Sequence, residues 1–396
     1  MTPALIIAAD FVKTGGMDRA NYALADYWAR QGMELHLVGH AAAPALLAYP
    51  NLHWHRVPRP RAHDALGWIP LARVGQRWAR RIRRRGGRVV ANGGNCDAGG
   101  ANWVHYVHAA FRSPLAPDAG WLRRAWHRAK HSRALADERL ALRHAVLAIA
   151  NSERTRRDLI EHLHLDAGRI RVVYYGCDPE HFGPVGPAER TAARQRLGWS
   201  PERRVGLFVG ALGDRRKNLD TVLDAWRRLA AQPGCDMDLV VVGRGAGRHA
   251  WRRQAQNAGL GARAEFLGFR RDVPDLLAAS DVLIAPARYE AYGLAVHEAL
   301  AREIPAILSA DSGVAERLDA GLRPLTLDQA ESGELLADRL RWWNTHGDTL
   351  RAPLAATALR IRAHTWDHMA ADLTAAMRAA PPQPSAAPPQ RSEARR

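Results

Sequence analysis

The sequence predicts an α/β protein with two doubly wound domains that face each other across a cleft. Short apolar segments alternate with segments of helical period along most of the 396 residues. This alternation is typical of parallel sheets with right-handed helical crossovers. The alternation stops and restarts near the middle of the chain, which indicates the same architecture twice. At about 150 residues per domain, the length also fits two or three domains.

The first series of predicted elements occupies the amino-terminal part of the chain. Each predicted strand is a short, mainly apolar run, and each helix carries apolar residues at helical spacing. The predicted strands are Ala4–Ala9, Glu34–Gly39, Val104–His108, Val146–Ala150 and Arg171–Tyr174, with helices at Met17–Gln31 and from Ser152 onward. The apolar character of the first strand indicates that it is buried in the sheet.

The second series follows a short linker, Gly183–Pro187, which contains two prolines and two glycines. The strands predicted after it are Val205–Val209, Leu239–Val242, Ala264–Leu267, Val282–Ala285 and Ala306–Leu308, with a helix at Leu219–Ala231. We therefore predict domains at residues 1–182 and 204–360, joined by a linker region at 183–203. Residues 381–396 are rich in Pro, Ala and Gln and are predicted to form a disordered tail.

The chain is strongly basic. Its 57 basic and 40 acidic residues give a net charge of +17, and only three of the basic residues are lysines. Arg73–Arg88 contains eight arginines and no acidic residue, and Arg112–Arg143 contains eight basic and three acidic residues. Phosphates, lipid headgroups or nucleic acid are compatible partners. The alternative is a solvated, arginine-rich surface whose composition reflects a GC-rich genome.

Composition excludes several classes of protein. Hydrophobic residues make up 47% and charged residues 24% of the chain, which excludes a wholly disordered or collagen-like protein. No apolar run approaches the roughly 20 residues of a membrane-spanning helix, and the first residues do not resemble a signal peptide. The three cysteines, Cys96, Cys177 and Cys235, form no CxxC pair, so we expect a reducing, cytoplasmic environment.

Two glutamates eight positions apart are the most informative feature. Glu290 follows the predicted strand Val282–Ala285, and Glu298 lies in the helix that comes next. The backbone N–H groups near Gly293 and Leu294 lie at the predicted start of that helix, where they form an anion site. Two carboxylates beside an anion site suit a ligand with phosphates and many hydroxyls, such as a nucleotide sugar. On spacing alone, the alternative is that both glutamates are simply solvated.

The surrounding residues resemble a known family signature. They are Tyr289 before the first glutamate, Tyr292-Gly293-Leu294 after it, and Ala301 and Pro305-Ala306-Ile307 beyond the second. The segment resembles the E-x7-E signature of the retaining glycosyltransferases of family 4, the group 1 family with the two-domain GT-B fold. The resemblance implies that Glu290 holds the hydroxyls of the donor sugar and that Glu298 holds the ribose.

Other segments resemble parts of the same family. The glycine-rich loop around Gly15-Gly16 and the basic pair Arg216-Lys217 resemble segments that contact the diphosphate of the donor, and Val104–His108 resembles the strand whose terminal histidine, here His108, reaches the sugar. The resemblance implies catalytic roles for Glu290, His108, Lys217 and Arg216. It implies donor binding by Gly15, Gly16, Arg216, Lys217, Phe269, Arg270, Glu290, Tyr292, Gly293, Leu294 and Glu298. Trp366-Asp367 resembles the helix, predicted here at residues 361–380, that crosses back onto the first domain.

The family resemblance implies a metal-independent transfer of a hexose, without a cofactor, from a UDP- or GDP-sugar to a glycan or lipid-linked acceptor. Cell-surface polysaccharide or lipopolysaccharide synthesis is the implied setting. The basic segments Arg73–Arg88 and Trp121–Arg143 would then meet an anionic membrane surface. We expect no nucleic-acid partner, because the sequence contains no basic motif interleaved with aromatic residues.

Two other functions are weighed against this expectation. One is a sugar-nucleotide epimerase of the same fold, and the other is a non-catalytic basic protein that binds anions or nucleic acid, although the sequence contains no nucleic-acid recognition module. The Asp236-Met237-Asp238 segment has a metal-binding spacing, but it precedes the predicted strand Leu239–Val242, so we expect it at the end of the strands opposite the cleft. The chain departs from the family pattern at Ala211, Ala295 and Arg302-Glu303.

Overall fold

The computed structural model describes residues 2–59, 68–115, 120–213, 215–231 and 236–380. The tail predicted at residues 381–396 and Cys235 lie outside the described residues. The described chain folds into two parallel sheets of seven and six strands, each flanked by helices, together with a two-stranded ribbon.

The amino-terminal sheet is wound outward in both directions from its first strand. Its elements are β1 Ala4–Ile7, β2 Asp10–Phe11, α1 Gly16–Arg30, β3 Leu35–Gly39, β4 Ala41–Ala42, α2 Pro44–Leu47, β5 Leu52–Arg56, α3 Trp68–Arg84, β6 Arg88–Asn92, β7 Ala101–Val104, α4 Trp121–His144, β8 Leu147–Ala150, α5 Glu153–Leu163 and β9 Ile170–Val172. The strand order is β5-β3-β1-β6-β7-β8-β9, and β2 pairs with β4 in the separate ribbon.

The carboxyl-terminal sheet repeats this arrangement. Its elements are α6 Pro187–Leu197, β10 Val205–Val209, α7 Leu219–Ala230, β11 Asp238–Val242, α8 Arg248–Asn257, β12 Ala264–Gly268, α9 Val273–Ala279, β13 Val282–Ala285, α10 Leu294–Ala301, β14 Ala306–Ser309, β15 Thr326–Leu327, α11 Gly333–His346, α12 Arg351–Ala363 and α13 Trp366–Ala379. The strand order is β12-β11-β10-β13-β14-β15. The carboxyl end of β13 therefore lies beside that of β10, which brings together the loops that follow these strands.

Strand β1 shows why the central strands are apolar at every position. Ala4 and Ile6 pack in the same cluster as Leu24 of α1, whereas Leu5 and Ile7 pack with Ile82 of α3 on the other face. Because successive side chains point to opposite faces, a strand covered by helices on both sides carries no polar face.

Several predicted elements differ from the structure. The strand predicted at Val104–His108 ends at Val104, so His108 lies in the loop that follows β7. Strands β5 and β6 were not predicted, because β5 carries polar histidines at a sheet edge and β6 directly follows an arginine run. Most of the basic segment Arg73–Arg88 belongs to α3, whose apolar side packs on the sheet, while Arg88 begins β6.

The last helix joins the two domains. Helix α13 packs on α1 of the amino-terminal domain, where the indole N–H of Trp28 donates to Thr374 Oγ1 at 2.8 Å. Just before this helix, the carbonyl of His364 accepts from the N–H of Cys177 at 2.8 Å. No helix within the described residues is long and apolar enough to span a bilayer.

Candidate functional site

The loop after β13 carries Glu290 into contact with two cations. Lys217 Nζ pairs with Glu290 Oε2, and Arg216 lies 3.5 Å from the same oxygen. Both cations come from the loop after β10, and the adjacent positions of the two strands in the sheet explain this meeting. Burial would raise the pKa of Glu290, but the charges of Lys217 and Arg216 hold this pKa below its ordinary value. Glu290 is therefore a carboxylate at neutral pH.

Helix α10 begins in the same loop. Its N-cap residue, Gly293, has φ +111°, a left-handed conformation that side chains rarely adopt. The glycine turns the chain sharply, so that the helix starts only four residues after Glu290. The first N–H groups of α10 lack carbonyl partners within the helix and carry partial positive charge, which suits an anion.

Glu298 lies one turn into α10 and faces the amino-terminal domain. Its nearest charged neighbour is Arg19 of α1, at 3.6 Å. Burial raises the pKa of Glu298 to about 7, and Arg19 only partly offsets this rise. Arg19 also pairs with Asp178 at 3.2 Å, and its guanidinium lies over the ring of Trp366. Sequence reasoning did not assign Arg19 a role, although it follows the glycine-rich loop by three residues.

The glycine-rich loop faces the start of α10. Gly15 has φ +86°, and a Cβ on Gly16 would lie 3.5 Å from Leu294 Cδ2. The loop of one domain and the first helical residue of the other therefore touch. Gly15, Gly16, Gly293 and Leu294, all predicted donor-binding residues, are brought together in the structure.

His108 approaches this region from the loop after β7. Its backbone N–H donates to Glu138 Oε1 at 2.8 Å, and that of Ala109 donates to Glu138 Oε2 at 3.0 Å. Burial lowers the pKa of His108 to about 4, with contributions from His131 and Lys130, so the imidazole is neutral. His108 and Arg216 line one cavity of about 580 Å³ that lies between the two domains. Sequence reasoning missed Glu138, a buried acid within a basic helix.

Three other residues predicted to bind the donor, Tyr292, Phe269 and Arg270, make contacts mainly with other parts of the carboxyl-terminal domain. The side chain of Tyr292 is buried, and its hydroxyl bonds to His297 Nδ1 at 2.8 Å, so it packs the loop from beneath. Phe269 lies at the end of β12, half exposed, beneath the guanidinium of Arg244. Its neighbour Arg270 forms a salt bridge with Asp272.

Tyr289 connects the two domains directly beside Glu290. Its hydroxyl donates to Asp158 Oδ2 at 2.8 Å, its ring stacks on Phe111, and the guanidinium of Arg154 lies 4.5 Å from the ring centroid. Sequence reasoning noted Tyr289 only as part of a signature. Its partners lie 131 to 178 positions away from it in the chain, and no local pattern indicates such contacts.

A second connection uses Glu316. Its carboxylate accepts from the backbone N–H groups of Glu153, at 2.8 Å, and Arg154, at 2.6 Å, at the start of α5. It also accepts from the Tyr174 hydroxyl at 3.0 Å. An acid from one domain thus caps a helix of the other.

The Asp-x-Asp spacing has a structural explanation. Asp238 opens β11 and pairs with Arg203 at 2.7 Å, and Asp236 pairs with Arg263 at 3.0 Å. Both acids lie at the amino end of the strand, away from the loops that carry Glu290. Among the described residues, a different group, Glu34, His36 and His53, has ligand atoms within 4.8 Å of one another. Arg85 holds both oxygens of Glu34, so this group forms an ion-paired cluster at the sheet edge.

Comparisons with known proteins agree with this geometry. The family described as Glycosyl transferases group 1 matches residues 189–357, and the one described as Glycosyltransferase Family 4 matches residues 14–181. The chain belongs to the group 1 glycosyltransferases. The two matches fall on the two sheets, so the family accounts for both domains.

Two curated relatives illustrate what the chain is similar to. Over 157 residues the chain is 32% identical to lipopolysaccharide core biosynthesis mannosyltransferase LpsB of Rhizobium meliloti (strain 1021), covering 38% of this chain and 43% of that protein. Over 248 residues it is 31% identical to D-inositol 3-phosphate glycosyltransferase of Mycolicibacterium paratuberculosis (strain ATCC BAA-968 / K-10), covering 59% and 52%. The chain spans about half the length of the curated relatives it matches.

A solved structure shows the fold over the whole chain. The Anabaena protein Alr3699/HepE, crystallised in complex with UDP and glucose, superposes with a TM-score of 0.67 at 19% identity, covering 96% of this chain and 100% of that one. The fold is GT-B, as the sequence predicted.

Proposed function

We propose that the protein transfers a hexose from a nucleotide-diphosphate sugar to a glycan or glycolipid acceptor, with retention of anomeric configuration and without a metal. The observation that carries this proposal is the convergence, at one point between the domains, of the Lys217–Glu290 pair, Arg216, the start of α10 and the Gly15-Gly16 loop. Cations, helix N–H groups and carboxylates within one cleft match the phosphates and hydroxyls of such a donor.

The proposed chemistry follows from where charge develops. When the bond from the sugar to the diphosphate breaks, negative charge grows on the leaving phosphate. Arg216, Lys217 and the first N–H groups of α10 are positioned to stabilise that charge electrostatically. Glu290 would then hold sugar hydroxyls and Glu298 the ribose, while neutral His108 would contact the sugar from the other domain. Attack on the same face as the departing phosphate, assisted by that phosphate, would retain the configuration.

The direct test is thermal unfolding with a panel of UDP-, GDP- and ADP-sugars. A ligand at a hundred times its dissociation constant stabilises the folded state by about 2.7 kcal/mol, which raises the melting temperature by a few degrees. We expect a shift with one nucleotide class that Lys217→Ala abolishes. Arg253→Gln, which removes one exposed charge on α8, should keep the shift. If no nucleotide sugar stabilises the protein, the proposal fails. A separate measurement, NMR of the anomeric proton in the product, tests whether the configuration is retained.

We further propose that the acceptor is presented at an anionic membrane surface on the cytoplasmic side, in lipopolysaccharide or related polysaccharide synthesis. The relative that is named for lipopolysaccharide core biosynthesis supports this setting. The first turn of α4 exposes 75% of Trp121 and 65% of Leu122, at the start of an arginine-rich helix. Exposed apolar side chains beside arginines suit a headgroup layer. The test is co-sedimentation of the protein with vesicles. Binding that does not depend on anionic lipid, or that substitution of Trp121 and Leu122 leaves unchanged, would contradict the proposed membrane contact.

A further inference from the structure

Two cavities lie side by side at the proposed sugar site, the larger between the two domains and the smaller on the amino-terminal domain. The larger, of about 580 Å³, reaches from the loop that carries Arg216 to helix α4. The smaller, of about 350 Å³, continues outward between α4 and the loop that follows His108. Ser113 and His127 line both cavities, so the two form one continuous depression.

The smaller cavity is markedly basic. It is lined by Arg112, Ser113, Pro114, Leu115, Arg124, His127 and Arg128. None of the described residues that line either cavity is acidic, and Lys130, one of only three lysines in the chain, lines the larger one. Positive charge also lies close to the proposed sugar site, because the charge of Lys130 contributes to the lowered pKa of His108.

The floor of the larger cavity presents an oriented donor. Asn151 Nδ2 donates to the Tyr175 hydroxyl at 3.3 Å, and that hydroxyl in turn bonds to His105 Nδ1. Burial lowers the pKa of His105 to about 3, so the ring is neutral and carries one N–H. Because the Tyr175 hydroxyl already accepts from Asn151, we assign its own proton to the bond with Nδ1, which leaves the ring proton of His105 on Nε2. His105 lines the cavity, and its Nε2 is buried without a protein partner. A hydroxyl or ring oxygen of a bound sugar would satisfy this donor.

The hydroxyl of Ser113 adds a second such group. Its Oγ is buried without a hydrogen-bond partner at the boundary of the two cavities. The depression therefore has a polar inner end near His105 and His108, and a cationic outer end at Arg112 and Arg128. A ligand that spans it needs hydroxyls at one end and an anionic group at the other.

We propose that the acceptor carries a phosphate group, which Arg112 and Arg128 bind in the smaller cavity while its reactive hydroxyl lies near His108. This inference rests on the proposed function and names the chemical class of its acceptor. A guanidinium group can donate two parallel hydrogen bonds to a phosphate, and the three acceptor oxygens of a phosphate can bind several donors at once. The relative named for D-inositol 3-phosphate supports an acceptor of this class.

The experiment compares phosphorylated and neutral probes while the nucleotide site is saturated with the nucleotide that stabilises the protein. The probes are D-inositol 3-phosphate against inositol, and glucose 6-phosphate against glucose, with inorganic sulfate as a test for unspecific charge effects. We expect at least one sugar or polyol phosphate to bind about tenfold more tightly than its neutral counterpart. The double variant Arg112→Gln/Arg128→Gln should lose this preference, and Arg253→Gln should keep it.

The source of the phosphate is distinguished in a parallel arm with vesicles of phosphatidic acid or phosphatidylcholine. The site binds a lipid-linked phosphate if the wild type prefers phosphatidic acid over phosphatidylcholine, the double variant loses this preference, and phosphorylated soluble probes bind no better than neutral ones. Equal binding of phosphorylated and neutral probes, together with vesicle binding that the double variant retains, overturns the inference. Nucleotide stabilisation is measured in the same samples, so the proposed function can stand when this inference fails.

Discussion

At the scale of single residues, we expect Glu298 to make the proposed donor site sensitive to pH. Burial raises its pKa to about 7, so the free protein holds it half protonated at neutral pH. Ribose hydroxyls donate best to the ionised carboxylate, so nucleotide-sugar affinity should increase as the pH rises through 7. We expect an increase of about tenfold between pH 6 and pH 8. Calorimetric titration should show this increase for the wild type and a flat profile for Glu298→Gln.

We propose that Glu138 positions the loop that carries His108. Its two oxygens accept the N–H groups of His108 and Ala109, and a glutamine amide can accept only one of them. Glu138→Gln should lower kcat about tenfold, because one N–H loses its acceptor and the loop shifts, while the KM of the donor stays unchanged. Asp137→Asn removes the same charge one position earlier and should leave both constants unchanged. A change in the donor KM alone would contradict this role.

Lys217 and Glu290 form an ion pair, but we propose different roles for them. In Glu290→Ala, Lys217 and Arg216 remain, but the sugar loses its proposed carboxylate. Transfer should therefore fall at least about a hundredfold, while nucleoside diphosphates still bind. In Lys217→Ala, binding of the diphosphate should itself weaken. Parallel measurement of turnover and of nucleotide affinity separates these outcomes. Equal loss of nucleotide affinity in both variants would contradict the separate roles.

At the scale of elements, the end of α10 explains a departure from the family pattern. One departure from the family pattern is Arg302-Glu303, and Glu303 adopts φ +61°, a left-handed conformation that normally favours glycine. The two side chains find specific partners. Buried Arg302 pairs with Glu189 of α6 and donates to the carbonyl of His181 at 2.9 Å, while Glu303 pairs with Arg362. These contacts attach α10 to the linker region and to α12.

Helix α13 is held on α1 by a buried hydrogen bond. Thr374→Val keeps the shape of the side chain but leaves the indole N–H of Trp28 without its acceptor. A buried donor without a partner costs about 1–3 kcal/mol, so the melting temperature should fall by several degrees. Thr374→Ser keeps the hydroxyl and should lose less stability. Differential scanning calorimetry makes the comparison, and equal destabilisation by both variants would exclude the hydrogen bond as the cause.

At the scale of the whole molecule, Glu316 and Tyr289 hold the two domains together beside the proposed site. Glu316→Ala removes the acceptor for two N–H groups of α5 and for Tyr174, and it changes no residue of the buried apolar clusters. We expect a larger radius of gyration in X-ray scattering and a lower turnover, because a more open cleft admits water and misaligns the donor. Glu161→Ala, at an exposed position of α5, should change neither.

Much of the fold could be predicted because it depends on local apolar patterns. The buried strands β1, β8, β10 and β13 are recognisable as short apolar runs, and their predicted positions agree with the structure. The edge strand β5 was missed because its histidines and arginine contribute little apolar signal. The loop at His108 was misread as strand because Val107 is buried against the sheet as a strand residue would be, although β7 ends at Val104.

By itself, the sequence determined the fold class, the family and the chain segments that carry the candidate site, since period, glycines and the glutamate spacing are local properties. Only the tertiary structure decided which side chains meet. The Glu290 cluster, the Arg19–Glu298 contact and the Glu138 support of His108 join residues from different elements, and Arg19 and Glu298 are separated by 279 positions of the chain. Partners, burial and pKa values depend on these distances in space, which no local pattern encodes.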